Sequence, residues 1–301
     1  MRLHIQVALA VLLVSAGTSS AFAYVPATTN ESGTRLRWMR SNCVVLRANS
    51  AGSADVSDGS EFTAIQKSVE DWHKVIASCS YIRFQLEAPA ASATIGFDRE
   101  GPNENAIVFV ESNWPHEDVA AGITTVFFVD NKDSAQDGRI LDADVELNGQ
   151  IFTFGTIASK SLTDVENTLT HELGHVLGLD HPCDDGTRSP VPKDHTGATI
   201  PRCNTPAVSA AIRESTMYNF ANLGETKKRT PEDDDILGIC ETYPAANDPG
   251  SCAPVDFTDS GGCSLALGLT DDVSRFPRGV GLAAVLLLLG VLLLGRKRRN
   301  V

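Results

Sequence analysis

His171, Glu172, His175 and His181 are the residues whose types and spacing best equip this chain for chemistry. Two histidines four residues apart sit about 40° from each other on a helix, so His171 and His175 project side by side from one face. A continuous helix would carry His181 about 15 Å along the axis from His171, so the third ring arrives only if the chain turns back. Gly178 lies between them and takes a left-handed conformation without strain, so the helix is predicted to end there. Three neutral imidazoles suit zinc in kind and number, with a fourth position left for the reaction. Glu172, one residue off the ligand row, is the predicted general base, taking a proton from water and passing it to a leaving amine. The bland reading is a helix with solvated histidines. Gly178 and His181 at the right offsets make that coincidence remote.

The elements that must hold these residues are legible as periodicities. The zinc helix opens at Thr163-Asp164-Val165-Glu166, a capping-box pattern. Val165, Leu169, Leu173 and Val176 form its apolar face, nearly opposite His171 and His175, so one side is expected to face the core and the other a cleft. Residues 61–77 carry apolar positions at helical spacing (Phe62, Ile65, Val69, Trp72, Ile76). Strands are expected over 35–48, 81–86, 94–97, 106–110, 123–129 and 142–147. Between His181 and Met217 the chain is rich in Pro, Gly, Asp and Thr and reads as long loops beside the site. Asp130, Asp133, Asp137, Asp142 and Asp144 form an acidic string that does not match the EF-hand spacing. It is read as a solvated loop, with calcium as the alternative occupant. His73, His116 and His195 have no ligand spacing and are expected to be surface or satisfied side chains.

His171-Glu172-Leu173-Gly174-His175-Val176-Leu177-Gly178-Leu179-Asp180-His181 resembles the zinc signature of the metzincin metallopeptidases, and its wording is most similar to the matrixin branch, the matrix metalloproteinase type. Ser215-Thr216-Met217-Tyr218 resembles the Met-turn of that group; Met217 as ordinary core filling is a compatible reading. Asp142-Ala143-Asp144-Val145-Glu146-Leu147-Asn148 resembles the strand before the zinc helix, and the stretch from Thr230 to Ile239 the last helix of the domain. The likeness covers residues 34–244. It implies an α+β fold with a twisted mixed sheet of about five strands, three main helices, and a zinc cleft between an upper and a lower subdomain. It also implies a zinc-dependent endopeptidase with His171, His175 and His181 as metal ligands, Glu172 as catalytic base, Met217 beneath the metal and Tyr218 beside it. The rival readings are a zinc hydrolase acting on something other than protein and a non-catalytic surface adhesin on the same scaffold. Gly178, His181 and Met217 argue against the first, and the retention of Glu172 with all three ligands argues against the second.

The ends of the chain read as addresses. Arg2, an apolar stretch and Ala21-Phe22-Ala23 make residues 1–23 a signal peptide. Residues 24–247 are then the catalytic domain, and 248–278, with Pro249-Gly250 and Gly261-Gly262, a linker. Residues 279–295 are uncharged and leucine-rich, at the lower length limit for a membrane helix, and Arg296-Lys297-Arg298-Arg299 follows at once. With Cys263 ahead of it, this end resembles a myxobacterial-type (MYXO-CTERM-like) sorting tail, which implies a bacterial surface protein held at the membrane by residues 279–301. All 38 acidic residues lie between the terminal segments, whereas Arg2 and the four tail cations lie within them. The middle is thus more acidic than the net charge of −13 indicates. Such a surface argues against nucleic acid or anionic lipid as a partner; the resemblance implies protein or peptide substrates, and a monomer is expected.

All seven cysteines follow the signal segment, so disulfides are expected in an oxidising compartment. Setting Cys263 aside leaves six, which pair in any of fifteen ways. Sequential pairing (Cys43–Cys79, Cys183–Cys203, Cys240–Cys252) is the expectation, because each bridge would staple a local loop. Pro201-Arg202-Cys203-Asn204-Thr205-Pro206 superficially resembles the cysteine-switch peptide of matrixin propeptides, but it follows the zinc helix instead of preceding the domain, and is expected to be a loop disulfide. Latency, if the site has any, must come from elsewhere.

Overall fold

The computed structural model describes residues 24–98, 103–206 and 208–252, and the backbone of 265–274. The signal segment, Cys263 and the tail 279–301 lie outside the described residues. Among those described, no helix is long and apolar enough to cross a membrane.

The first half of the chain supplies β1 (Val25–Pro26), β2 (Cys43–Asn49), α1 (Ser60–Ile76), β3 (Arg83–Ala90), β4 (Asn105–Phe109), β5 (Ala120–Val129) and β6 (Ile140–Leu147). The second half adds β7 (Phe154–Gly155), β8 (Thr163–Asp164), α2 (Val165–Val176), β9 (Leu179–Asp180), the short α3 (Ala210–Glu214), β10 (Phe220–Ala221), α4 (Asp233–Thr242) and β11 (Leu265–Ser274). The architecture is α+β around one mixed sheet, ordered β10-β11-β5-β6-β4-β2-β3. Five of these strands, β5-β6-β4-β2-β3, make the body of the sheet: β3, β2, β4 and β6 run parallel and β5 antiparallel to β6.

The strands form where β-branched and aromatic residues alternate, and one side of the sheet is closed by helices. Val44, Leu46, Ile107, Ala143, Val145 and Leu147 meet Ile65, Val69, Trp72 and Ile76 of α1 and Val165, Leu169, Leu173 and Val176 of α2 in one core. The expected strand over 94–97 is absent. The Gly96 N–H goes instead to the Asp144 carboxylate at 2.7 Å, and Phe97 stacks on Phe127 at 5.1 Å, so this segment covers the sheet instead of extending it.

The helix α2 differs from expectation at both its start and its environment. Its N-cap is Asp164, whose carboxylate accepts from Asn167 N–H at 2.8 Å, one residue later than the capping box placed it. Arg229 braces the same carboxylate through Nε at 2.9 Å. All twelve residues of α2 are buried, His171, Glu172 and His175 included, so the side expected to face an open cleft is covered in this chain. Burying the helix end requires partners for its carbonyls. Trp38 Nε1 donates to the Val176 carbonyl at 2.8 Å and Tyr243 Oη to that of Leu177 at 2.9 Å.

Disulfide pairing follows tertiary proximity, which sequence distance does not reveal. Cys183–Cys203 forms as expected, and this engages Cys203 away from any switch role. The other two are Cys43–Cys252 and Cys79–Cys240, correcting the sequential assignment. Cys79 follows α1, where Tyr81 N–H donates to the Tyr243 carbonyl at 3.0 Å and brings the end of α4 alongside. Cys43 opens β2, where Asn42 N–H donates to Ser251 at 2.9 Å. Residues 248–252, at the start of the expected linker, are therefore stapled to the sheet, and 265–274 within it form a strand.

The acidic string is mostly buried structure, not a solvated loop. Asp130 accepts from the backbone N–H groups of Asn30 and Glu31, and Asp137 accepts from Ser32; Asp133 alone of the five is exposed. Asp142 and Asp144 lie on β6, on the face opposite Ala143 and Val145, and are essentially inaccessible. Asp144 accepts from Gly96 and Ala106 N–H groups (2.7 and 2.8 Å), whereas no donor serves Asp142, which therefore holds a proton shared with its neighbour. Burial, then the neighbouring carboxylate, pushes Asp142 up to about 8; burial pushes Asp144 up to about 6. Both groups bind protons more tightly folded than unfolded. Their contribution to stability is full in acid and is lost as pH rises from about 4, the unfolded value, through about 8. Asp142→Asn, which keeps the shape without the titration, should gain stability relative to the parent between pH 5 and 9. The expected gain is at least about 1.4 kcal/mol, the worth of one pKa unit. Chemical denaturation at both pH values measures it, and a parent that gains on the variant instead would contradict the shared proton.

Candidate metal centre

The three histidines predicted to converge do so. His171 and His175 come from successive turns of α2, and the chain then reverses at Gly178, whose φ is +92° and whose N–H donates to the His175 carbonyl at 2.9 Å. The return strand β9 pairs with β1 and delivers His181. The Nε2 atoms lie 3.2 Å (His171–His175), 3.1 Å (His175–His181) and 3.3 Å (His171–His181) apart. Among the described residues this is the one group of three or more ligating side chains that could hold a metal ion.

The geometry fits a small tetrahedral ion. Bonds of about 2.0–2.1 Å to imidazole nitrogen place tetrahedral ligands about 3.3 Å apart. The other ring nitrogens support this fit. His171 Nδ1 faces the Thr216 carbonyl at 2.6 Å and His175 Nδ1 the Leu179 carbonyl at 2.8 Å, so each carries its hydrogen there. The Nε2 atoms of His171 and His175 are then bare lone pairs aimed at each other and at His181 Nε2, an arrangement that a shared cation relieves. Burial, followed by the positive charge of Lys228, holds His171 well below the ordinary imidazole range; burial first also holds His181 low and pushes His175 down to about 3. All three rings are neutral at pH 7, the form that binds metal.

Glu172 lies between the first two ligands in sequence and is fully buried. Its Oε2 accepts from Thr124 Oγ1 of β5 at 2.6 Å, which ties the carboxylate to the neighbouring strand. Met217 sits under the helix against Gly174: a Cβ added at Gly174 would lie 2.3 Å from its Sδ, so only glycine admits the thioether there. Tyr218 turns away into a smaller cluster with the Cys183–Cys203 bridge and Val208, its ring 5.5 Å from that of Phe220. His73 accepts from Phe84 N–H at 2.8 Å, His116 lies 2.7 Å from Glu146, and His195 stacks on Tyr24 at 4.5 Å, all away from the triad.

Several supporting residues escaped the sequence reading. Thr216 turns its carbonyl to His171 while its N–H donates to Asp235 at 2.9 Å, and its Oγ1 accepts from Glu232 N–H at 3.0 Å. The start of α4 thus sets the height of the Met217 segment beneath α2. Lys228 is wholly buried, its N–H donating to Asn167 at 2.9 Å. Thr124 left a trace: two adjacent threonines in an apolar strand put one hydroxyl on each face. No protein-family model and no curated protein matches this chain.

Two substitutions test the centre. His181→Ala should lower zinc affinity by at least about a hundredfold, the scale of losing more than an outer-shell partner, read by competition with a colorimetric chelator. Retained affinity would remove His181 from the ligand set. Gly174→Ala should cost about 1–3 kcal/mol in unfolding free energy through overpacking against Met217. A neutral result would mean that the thioether is not held there.

Proposed function

We propose that this chain is a zinc-dependent endopeptidase of the metzincin type, matrixin-like in its signature, acting on extended protein or peptide segments outside the cell. The observation that carries the reading is the meeting of three histidine Nε2 atoms at tetrahedral spacing, beside a carboxylate on the helix that supplies two of them. Export is supported by the residues 1–23 pattern and by three disulfides, which persist in oxidising compartments. The leucine-rich stretch 279–295 and its trailing cations support attachment at the membrane.

A zinc ion held by His171, His175 and His181 supplies Lewis acidity to the peptide carbonyl and acidifies water. Glu172 takes a proton from the attacking water as the oxygen adds to the carbonyl carbon. It returns that proton to the amide nitrogen as the C–N bond breaks. Thr124 orients the carboxylate for both transfers, and burial strengthens each interaction by excluding competing solvent. The Thr216 and Leu179 carbonyls keep two of the ligand rings, His171 and His175, in the tautomer that leaves Nε2 free.

Glu172→Ala should keep zinc at wild-type stoichiometry and lose at least about a hundredfold in peptide hydrolysis, the usual scale for a general base. A peptide library incubated with the zinc-loaded protein, with and without a chelator, measures activity and metal dependence together. Hydrolysis that survives in Glu172→Ala sinks the mechanism.

A further inference from the structure

The strand β11 occupies the ground that a substrate of this site would need. It pairs antiparallel with β5 along nearly its whole length, from Leu265 opposite Val129 to Val273 opposite Ala120. Thr270 lies opposite Thr124, the residue that holds Glu172. Asp272 lies opposite Gly122, where an added Cβ would stand 2.7 Å from Glu172 Oε1. On its other side β11 pairs in parallel with β10, which follows Met217 by three residues: Val273 meets Phe220 and Ser274 meets Ala221. The segment therefore runs between the strand above the carboxylate and the segment that passes beneath the zinc helix. Its backbone also approaches α2. A catalytic metal needs a face open to water and substrate, yet Glu172 and His171 are 0% exposed, His175 1% and His181 6%.

We infer that Leu265–Ser274 is the chain's own occupant of this cleft, a strap that holds the site closed and must leave before another peptide enters. The inference rests on the peptidase reading for what the cleft is for. Main-chain pairing to a sheet edge is a general way to bind an extended peptide, and it serves a self-peptide as well as any other. Without β11, β5 would be an edge strand with unpaired N–H and C=O groups. Tethering makes the occupant effective. Cys252 is bonded to Cys43, and residues 253–264 join that fixed point to the strap, so its local concentration is of the order expected for a short linker, about millimolar. Latency then comes from behind the catalytic domain.

The test uses the full chain carrying Glu172→Ala, so that probes are not consumed, with and without Leu269→Pro and Thr270→Pro together. Of two consecutive prolines, one removes a donor that faces β5 in the antiparallel ladder. Amide exchange of 265–274 should be slow in the parent and fast in the proline variant. A fluorescent synthetic peptide of the Leu265–Ser274 sequence should bind the variant at least about tenfold more tightly, because a cleft occupied by its own strap binds in proportion to its open fraction. Fast exchange of 265–274 in the parent, or equal binding to both proteins, would overturn the strap. With Glu172 restored, the prolines should raise turnover of an unstructured peptide by a similar factor. Tighter probe binding without turnover in either protein upholds the strap and sinks the peptidase reading.

Discussion

Three imidazole nitrogens held about a hydrogen-bond length apart are the constraint on which the rest of this structure depends. Bringing bare imidazole nitrogens together is unfavourable without a cation, so the fold must hold each ring against that repulsion. It does so from three directions: the spacing of α2 sets two rings, the left-handed turn at Gly178 returns the third, and the carbonyls of Thr216 and Leu179 fix which nitrogen is bare. The backbone that supplies those carbonyls is itself held. Thr216 hangs from Asp235 and Glu232 at the head of α4, and Trp38 and Tyr243 take up the carbonyls at the end of α2.

Burial serves this centre in two ways. It keeps the histidines neutral, as metal ligation requires, and it stiffens the hydrogen bond between Thr124 and Glu172 by removing water. The same burial leaves the centre inaccessible, so a peptidase reading requires a covering element that separates from the domain. The strand β11, paired through its main chain to β5 and at two residues to β10, is the element the strap inference assigns to that role. The disulfides divide the labour accordingly: Cys79–Cys240 and Cys43–Cys252 lock the late chain to the early chain, and the strap begins just past the last bridge.

The buried acids illustrate how a negative chain spends part of its charge inside. Asp130 and Asp137 fasten the loop that follows β1, and Asp142 and Asp144 share a proton beneath the 94–97 segment. Side chains that composition would assign to a solvated surface are thus part of the packing between layers.

Local spacing was enough to specify the meeting of His171, His175 and His181, the place of Glu172 beside them, the turn at Gly178 and Cys183–Cys203, because each depends on residues within a few turns of chain. Periodicity likewise located α1, α2 and four strands of the sheet body to within a few residues, whereas the strand expected over 35–48 is confined to Cys43–Asn49. The zinc helix's cap, the strand expected over 94–97, the two long-range disulfides, the burial of the acidic string and the seat of Leu265–Ser274 were decided by tertiary structure. Each turns on contacts between segments tens to hundreds of residues apart, such as Cys43 with Cys252 or Thr124 with Thr270. A linear pattern records which face of an element is apolar. Which distant segment comes to cover that face follows only when the layers close.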